Sequence, residues 1–319
     1  MPSDAFKQFS TLPVSRRQFV VGAAALSAAS AAPGAVWAQA APHSFSQGEF
    51  EVTVVSDGYL VFPATAIAPD APPEELKALL TAAGQLEGED ATPGTNAVLI
   101  RAGSDLILFD TGSGPGFQPT AGKLPESLAA AGVDPAEITK VVFTHGHLDH
   151  IGGTVVEGGG LRYPNASYYA AAAEWDFWMD PELFSKMPQE MHGFITGAQQ
   201  NLSAVKDKVT MLKPGDDVVT GIRLLDTAGH TPGHVSIEVA GGEGLIIGAD
   251  AAVNPFVFFE HPEWRFSFDA IPELAVANRR KLLDRAAADK IKLIGFHWKY
   301  PGVGYAEPKD NAYRFVPAG

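Results

Sequence analysis

Thr144-His145-Gly146-His147-Leu148-Asp149-His150 places three histidines and an aspartate within six residues, directly after the apolar run Lys140–Phe143 and before Ile151-Gly152-Gly153. In an extended stretch, residues two apart point to the same side, so His145 and His147 can address one point. Asp149 and His150 follow in the turn and can reach a second point nearby. Imidazole and carboxylate are ligands that hold zinc and also suit iron, cobalt or manganese. One local cluster does not close a site, so further ligands must come from elsewhere in the chain.

Working outward, the candidates stand where apolar β-rich runs end. His230 follows residues 222–225, Asp250 follows residues 245–247, and His297 ends residues 291–296. Loops at strand ends are where a rigid scaffold presents functional groups. Other strands are expected at 49–55, turned at Asp57-Gly58, at 97–101 and 106–109 around Gly103-Ser104, and at 167–170 and 235–239. Helices are expected at 72–83, 123–131, 172–179, 189–206 and 271–288. Strands and helices alternate without a clean parallel βαβ rhythm. That pattern points to sheets packed on each other with helices outside.

Composition bounds the rest. The chain has 319 residues, 46% hydrophobic and 19% charged, which excludes a disordered or fibrous chain and predicts a sizeable core. No cysteine is present, so thiolate ligands, disulfides and a cysteine nucleophile are excluded. The formal net charge of −14 repels a nucleic-acid backbone, and the sequence shows no basic patch to override it.

Residues 1–40 read as an address. Ser15-Arg16-Arg17-Gln18-Phe19-Val20 precedes an Ala-rich apolar run that ends near Pro33-Gly34 and Ala38-Gln39-Ala40. A basic start, an apolar middle and small residues at the cut form a secretory signal. The paired arginines fit a twin-arginine signal, with cleavage expected after Ala40 and a periplasmic destination. The apolar middle is too short for a stable membrane anchor. A hydrolase domain is expected over residues 41–319.

The pattern His145-x-His147-x-Asp149-His150, with His230, Asp250 and His297 in that order, resembles the metallo-β-lactamase superfamily. Further segments are similar to its methyl parathion hydrolase group, which resembles secreted dinuclear lactonases and arylesterases. These are Val55-Ser56-Asp57-Gly58, Phe109-Asp110-Thr111-Gly112, Asp176-Phe177-Trp178, Tyr300-Pro301-Gly302-Val303-Gly304 and Tyr313-Arg314-Phe315-Val316-Pro317. The resemblance implies an α+β fold, a four-layer αββα sandwich with the site at one edge. It implies two divalent metal ions, zinc first, with manganese, cobalt or iron as alternatives. One would be held by His145, His147 and His230, the other by Asp149, His150 and His297, with Asp250 bridging. Asp149 and Asp250 would be the catalytic carboxylates, orienting a nucleophilic hydroxide or relaying its proton.

The same resemblance makes Asp110 a hydrogen-bond partner of a metal-bound histidine. It nominates Phe117, Trp178 and Phe194 for the pocket of the leaving group. The implied substrates are small neutral lactones or aryl esters, with phosphotriester hydrolysis either as promiscuity or as the function proper. A protein keeping the metals for structure alone is the opposed class, and its site would be closed. A homodimer is implied by the resemblance only. His234, beside His230, is expected to be structural, and His43, His192 and His261 to be surface residues. The absence of cysteine departs from one subclass of β-lactamases, and the acidic charge departs from the tRNA-processing nucleases. Residues 253–268 show little likeness to the methyl parathion hydrolase group. Because they follow Asp250, they are expected to shape the pocket.

Overall fold

The computed structural model describes residues 40–318. The export segment expected over residues 1–40 lies, apart from Ala40, outside the described residues. Strands β1 (His43–Gln47) and β2 (Phe50–Tyr59) open a first sheet. The short strands β3 (Phe62–Pro63), β4 (Leu86–Glu87) and β5 (Asp90–Ala91) form a small separate sheet, with helix α1 (Pro73–Ala83) between β3 and β4 in the chain. The first sheet continues through β6 (Gly94–Ala102), β7 (Asp105–Phe109), helix α2 (Leu124–Ala130), β8 (Lys140–Phe143), helix α3 (Leu148–Ile151) and β9 (Ser167–Ala171). Helices α4 (Ala172–Trp178), α5 (Leu183–Lys186) and α6 (His192–Val205) then lead to β10 (Val209–Leu212). The second sheet comprises β11 (Asp217–Val219), β12 (Ile222–Asp226), β13 (Val235–Val239), β14 (Leu245–Ala249), β15 (Lys292–Gly295), β16 (Val303–Lys309) and β17 (Ala312–Pro317). Helices α7 (Pro255–Phe258) and α8 (Pro272–Ala288) lie between β14 and β15.

The first sheet runs β1-β2-β6-β7-β8-β9-β10 and the second runs in sequence order from β11 to β17. Both are mixed: β7 to β10 are parallel in the first, and β14 and β15 are parallel in the second. That mixture is why no clean βαβ rhythm shows in the sequence. Strands buried on both faces carry apolar residues in both alternating sets. Ile107 and Phe109 face the other sheet, as do Val142, Ile237 and Ile247. Leu106, Leu108, Val141 and Phe143 face outward onto α2, α4 and α6. On the far side Ile246 and Leu293 pack with α1, α7 and α8. The layers are therefore helix, sheet, sheet, helix. Full burial of each such side chain contributes about 1.5–3 kcal/mol.

The turn expected at Asp57-Gly58 is a correction. Strand β2 runs on to Tyr59, and the register against β6 shifts between Ser56 and Gly58, with Gly58 at φ 108°. The Asp57 carboxylate is buried and accepts the backbone N–H groups of Ser113 (2.8 Å), Gly122 (3.2 Å) and Leu124 (2.7 Å). Burial outweighs these donors and pushes its pKa up to about 6. The Asp-Gly pair thus serves a bulge that ties down the loop after β7, not a hairpin. The helix expected at 189–206 begins as a 3-10 turn at Gln189–Met191 before α6.

The carboxyl ends of β7, β8, β12, β14 and β15 converge on one edge of the sandwich. Asp110 follows β7 directly at φ 60°, and Ala249 closes β14 at φ 45°, just before Asp250. Left-handed backbone at a residue other than glycine stores strain, about 1–2 kcal/mol each. At both positions it turns the chain sharply and aims an aspartate at the edge.

Candidate metal centre

His145 Nε2, His147 Nδ1 and His230 Nε2 meet at the edge, His147 Nδ1 lying 3.1 Å from His145 and 3.0 Å from His230. Asp149 Oδ2 lies 3.4 Å from His150 Nε2 and 3.3 Å from His297 Nε2, and those two nitrogens are 3.3 Å apart. Asp250 stands between the two groups. Its Oδ2 is 3.3 Å from His230 Nε2 and 3.1 Å from His297 Nε2, and its Oδ1 is 3.2 Å from His150 Nε2.

The opposite nitrogen of four of these imidazoles is already engaged. His150 Nδ1–H donates to Asp110 Oδ2 (2.7 Å), His230 Nδ1–H to Asp269 Oδ1 (3.1 Å) and His297 Nδ1–H to the Gly94 carbonyl (2.8 Å). Thr144 Oγ1 donates to Asp110 at 2.6 Å, so it accepts His145 Nδ1–H at 3.1 Å. Each bond assigns the neutral tautomer and leaves a lone pair on Nε2. Four such lone pairs, His147 Nδ1 and two carboxylates then face one another with no donor among them. Asp250 Oδ1 is buried without a hydrogen-bond partner. Acceptors gathered this closely require positive charge between them, and a His and Asp donor set fits divalent cations. The same field acts on protons. Burial alone would lower His297, but the Asp250 and Asp149 carboxylates outweigh it and push it up to about 10, so a cation at this point competes with a proton for the Nε2 lone pair. His147 is driven down to about 3 by burial and by His230 beside it.

His145, His147 and His230 form one candidate metal group, and Asp149, His150 and His297 another. Asp110 also lies near His145 and His150. Its oxygens, however, accept the Thr144 N–H, the Thr144 hydroxyl and His150 Nδ1–H, so it orients ligands.

The metallo-beta-lactamase superfamily model matches residues 92–297. The chain belongs to the metallo-β-lactamase superfamily. In this superfamily fold it is similar to the solved structure of AidC, a dizinc quorum-quenching lactonase, at 28% identity over 87% of this chain and 97% of that one, with a TM-score of 0.81. The hydrolase AbOPH is similar at 28% identity over 88% of this chain and 98% of that one, with a TM-score of 0.81. The N-acyl homoserine lactonase AttM of Agrobacterium fabrum is 30% identical over 138 residues, 40% of this chain and 46% of its own length. The chain spans about half the length of the curated relatives it matches.

A cavity opens over the metallo-β-lactamase site. Its polar lining is His147, Asp149, His230, Asp250 and His297. Leu148, Met191 and Phe194 come from the first half of the chain. Leu60, Phe62 and Pro93 come from around the small sheet, and Val253, Phe266 and Phe268 from the segment after Asp250. Residues 253–268 therefore shape the pocket, as their position in sequence implies. Of the three aromatics nominated for the pocket, Phe194 lines it. Phe117 meets Phe194 edge to face, with ring centroids 6.5 Å apart. Trp178 is buried, packs edge-on to His147 and donates its indole N–H to Glu174. It also explains Gly146: a Cβ there would lie 2.3 Å from the indole nitrogen.

His234 is buried, accepts the Asp250 N–H on Nε2 (3.1 Å) and bonds Thr227 through Nδ1, which suits a structural role. His43, His192 and His261, expected at the surface, are each half-buried. His192 Nε2 donates to the Phe184 carbonyl, and His261 stacks on Trp264.

Glu174, Asp269 and Arg279 escaped the reading of the sequence because nothing beside them marks them out: Arg279 stands in the basic run Arg279-Arg280-Lys281 of an ordinary helix, and Glu174 and Asp269 belong to no local motif. Glu174 is buried and accepts Gly146 N–H (2.7 Å), Trp178 Nε1–H (2.7 Å), the Thr231 hydroxyl (2.7 Å) and Gly233 N–H (2.9 Å). It clamps the His145–His147 loop to the His230 loop. Burial raises its pKa, opposed by these donors. Glu174→Gln turns one acceptor oxygen into a donor that faces two other donors, and is expected to cost about 2–3 kcal/mol. Chemical denaturation of the metal-loaded protein measures this. A loss under about 0.5 kcal/mol, ordinary for a surface change, would show that the clamp carries nothing.

Proposed function

We propose that this chain is a dinuclear metal-dependent hydrolase of small neutral lactones and carboxylic esters. The observation that carries the proposal is the convergence of seven donor side chains, with Asp250 reaching both groups, on the floor of an otherwise apolar cavity. When bound, two divalent cations supply a nucleophile at neutral pH and positive charge for the developing oxyanion. Zinc is the first choice, in keeping with the dizinc lactonase to which the chain is similar.

The chain's own residues supply the rest. Asp149 and Asp250 both line the cavity, so they are the carboxylates placed to orient the attacking water and take up its proton. Asp110, Asp269, Thr144 and the Gly94 carbonyl hold four imidazoles in one tautomer, so that their lone pairs stay on the site. Such partners raise ligand basicity, and their loss typically costs about 10–100-fold in metal affinity or activity. The apolar lining excludes water and favours uncharged substrates. The relatives named as lactonases support the lactone reading, while phosphotriesters share only the neutral, electrophilic centre.

The test compares kcat/KM for an aromatic lactone and for a dialkyl aryl phosphotriester on the metal-loaded protein. The lactone is expected to lead by about a hundredfold, or about 2.7 kcal/mol of barrier. The reverse order would transfer the function to phosphotriesters. Turnover that survives complete chelation would overturn the metal reading. Export through the amino-terminal segment completes the proposal, and fractionation of cells carrying the intact or Arg16→Lys, Arg17→Lys chain tests it. Among the described residues no helix is long and apolar enough to cross a membrane.

A further inference from the structure

The cavity lining after Asp250 is built unlike the rest. Phe62, Phe266 and Phe268 form one aromatic face, with Phe268 centred 5.8 Å from Phe62 and 5.1 Å from Phe266. The three differ in what else they touch. Phe266 is buried and stacks on the His230 ring at 5.8 Å and 17°, so it supports a candidate ligand. Phe62 is buried in strand β3 within the core around the small sheet. Phe268 is only partly buried, and its recorded ring contacts are with these two phenylalanines.

The backbone around Phe268 is held on both sides. Ser267 N–H donates to the Ala66 carbonyl (3.1 Å), and Asp269 N–H to the Phe266 carbonyl (3.1 Å). Asp269 in turn is tied to His230 and to Arg279. The side chain at 268 therefore projects from a fixed strap into the cavity.

We propose that Phe268 is the specificity-determining residue that limits the length of the acyl chain accepted over the metal site. This rests on the lactone and ester reading above. Phe266 braces His230 and Phe268 is the next ring of the face, so its phenyl group narrows the cavity that a straight chain would enter. Removing the ring opens that space to added methylenes, and each methylene in such a pocket is worth about 10–200-fold in discrimination.

The experiment uses the full metal-loaded protein and 4-nitrophenyl esters from acetate to octanoate. Phe268→Ala is expected to raise the octanoate-to-acetate ratio of kcat/KM by about tenfold and Phe268→Trp to lower it by a similar factor, the low end of the range for one methylene. Bound metal is expected to stay at the wild-type level in both. Ratios within twofold of wild type in both Phe268 variants would overturn the proposal. In parallel, the cobalt-loaded proteins are titrated with acetate and octanoate and followed by their visible spectra. If the wild type cleaves none of the esters, the functional reading fails. The octanoate-to-acetate affinity ratio of the variants then still decides on Phe268 in the same way.

Discussion

Asp250→Ala is expected to lower kcat/KM on the order of a thousandfold or more, the scale of losing a charge-stabilising group from a metal-assisted site. Asp250 stands between both candidate groups, within 3.3 Å of His230 and 3.2 Å of His150. Its removal leaves each group with three neutral or singly charged donors and nothing between them. The two groups then lose the carboxylate that offsets the repulsion of two cations. Bound metal should fall towards one ion per chain, measured by elemental analysis after gel filtration. The fold should survive, because a backbone bond to His234 holds residue 250 and its side chain meets only the candidate ligands His150, His230 and His297. Undiminished turnover with two ions still bound would sink the ligand assignment.

Arg279→Ala should be the most damaging single change to stability, about 3–5 kcal/mol for breaking one side of a buried ion pair. Arg279 is 1% exposed in the middle of α8. Its guanidinium donates to the carbonyls of Ala251 (3.0 Å), Pro262 (3.2 Å) and Trp264 (2.7 Å) and to Asp269 Oδ2 (3.3 Å). It also lies 4.1 Å over the Phe258 ring. Alanine would leave three carbonyls and the Asp269 carboxylate buried without that donor. At about 2–4 °C per kcal/mol for a chain of this size, Tm should fall by roughly 10 °C. Because Asp269 also holds His230 Nδ1–H, metal affinity in a chelator competition should weaken by about 10–100-fold. The double variant Arg279→Met, Asp269→Asn should be less destabilised than Arg279→Ala, since it leaves no lone charge. If it is worse, the pair is not what the site depends on.

The seven donor residues were legible in the sequence for two reasons. His145 to His150 are neighbours in the chain, so their chemistry is visible without a fold. His230, Asp250 and His297 each follow an apolar strand, and a strand end is a position that the pattern itself marks. The strands that were legible are β2, β6 to β9 and β12 to β15, most of them with apolar residues buried along much of their length. The edge strands β1, β10, β11 and β17, and β16 beside the last, were not, because pairs such as Tyr305 with Val316 and Glu307 with Arg314 acquire their meaning only across the ladder. Asp57 illustrates the limit from the other side. An Asp-Gly pair has a strong local preference for turning, but here amide donors as far away as Leu124 claim its carboxylate and keep the strand running.

By itself, then, the sequence determined the layered α+β class, the identity of the metal-binding chemistry and the order in which its ligands arrive. Local spacing and apolar periodicity encode these, because they depend on neighbours along the chain. Only the tertiary structure decided which residues hold those ligands in place and which wall the substrate meets. Glu174 reaches Gly146 and Thr231, 28 and 57 residues away, and Phe268 meets Phe62 of strand β3. Burial makes such contacts energetically large, since a buried charge or aromatic face must find a partner. Which partner it finds is a property of the packed sheets and not of any stretch of sequence.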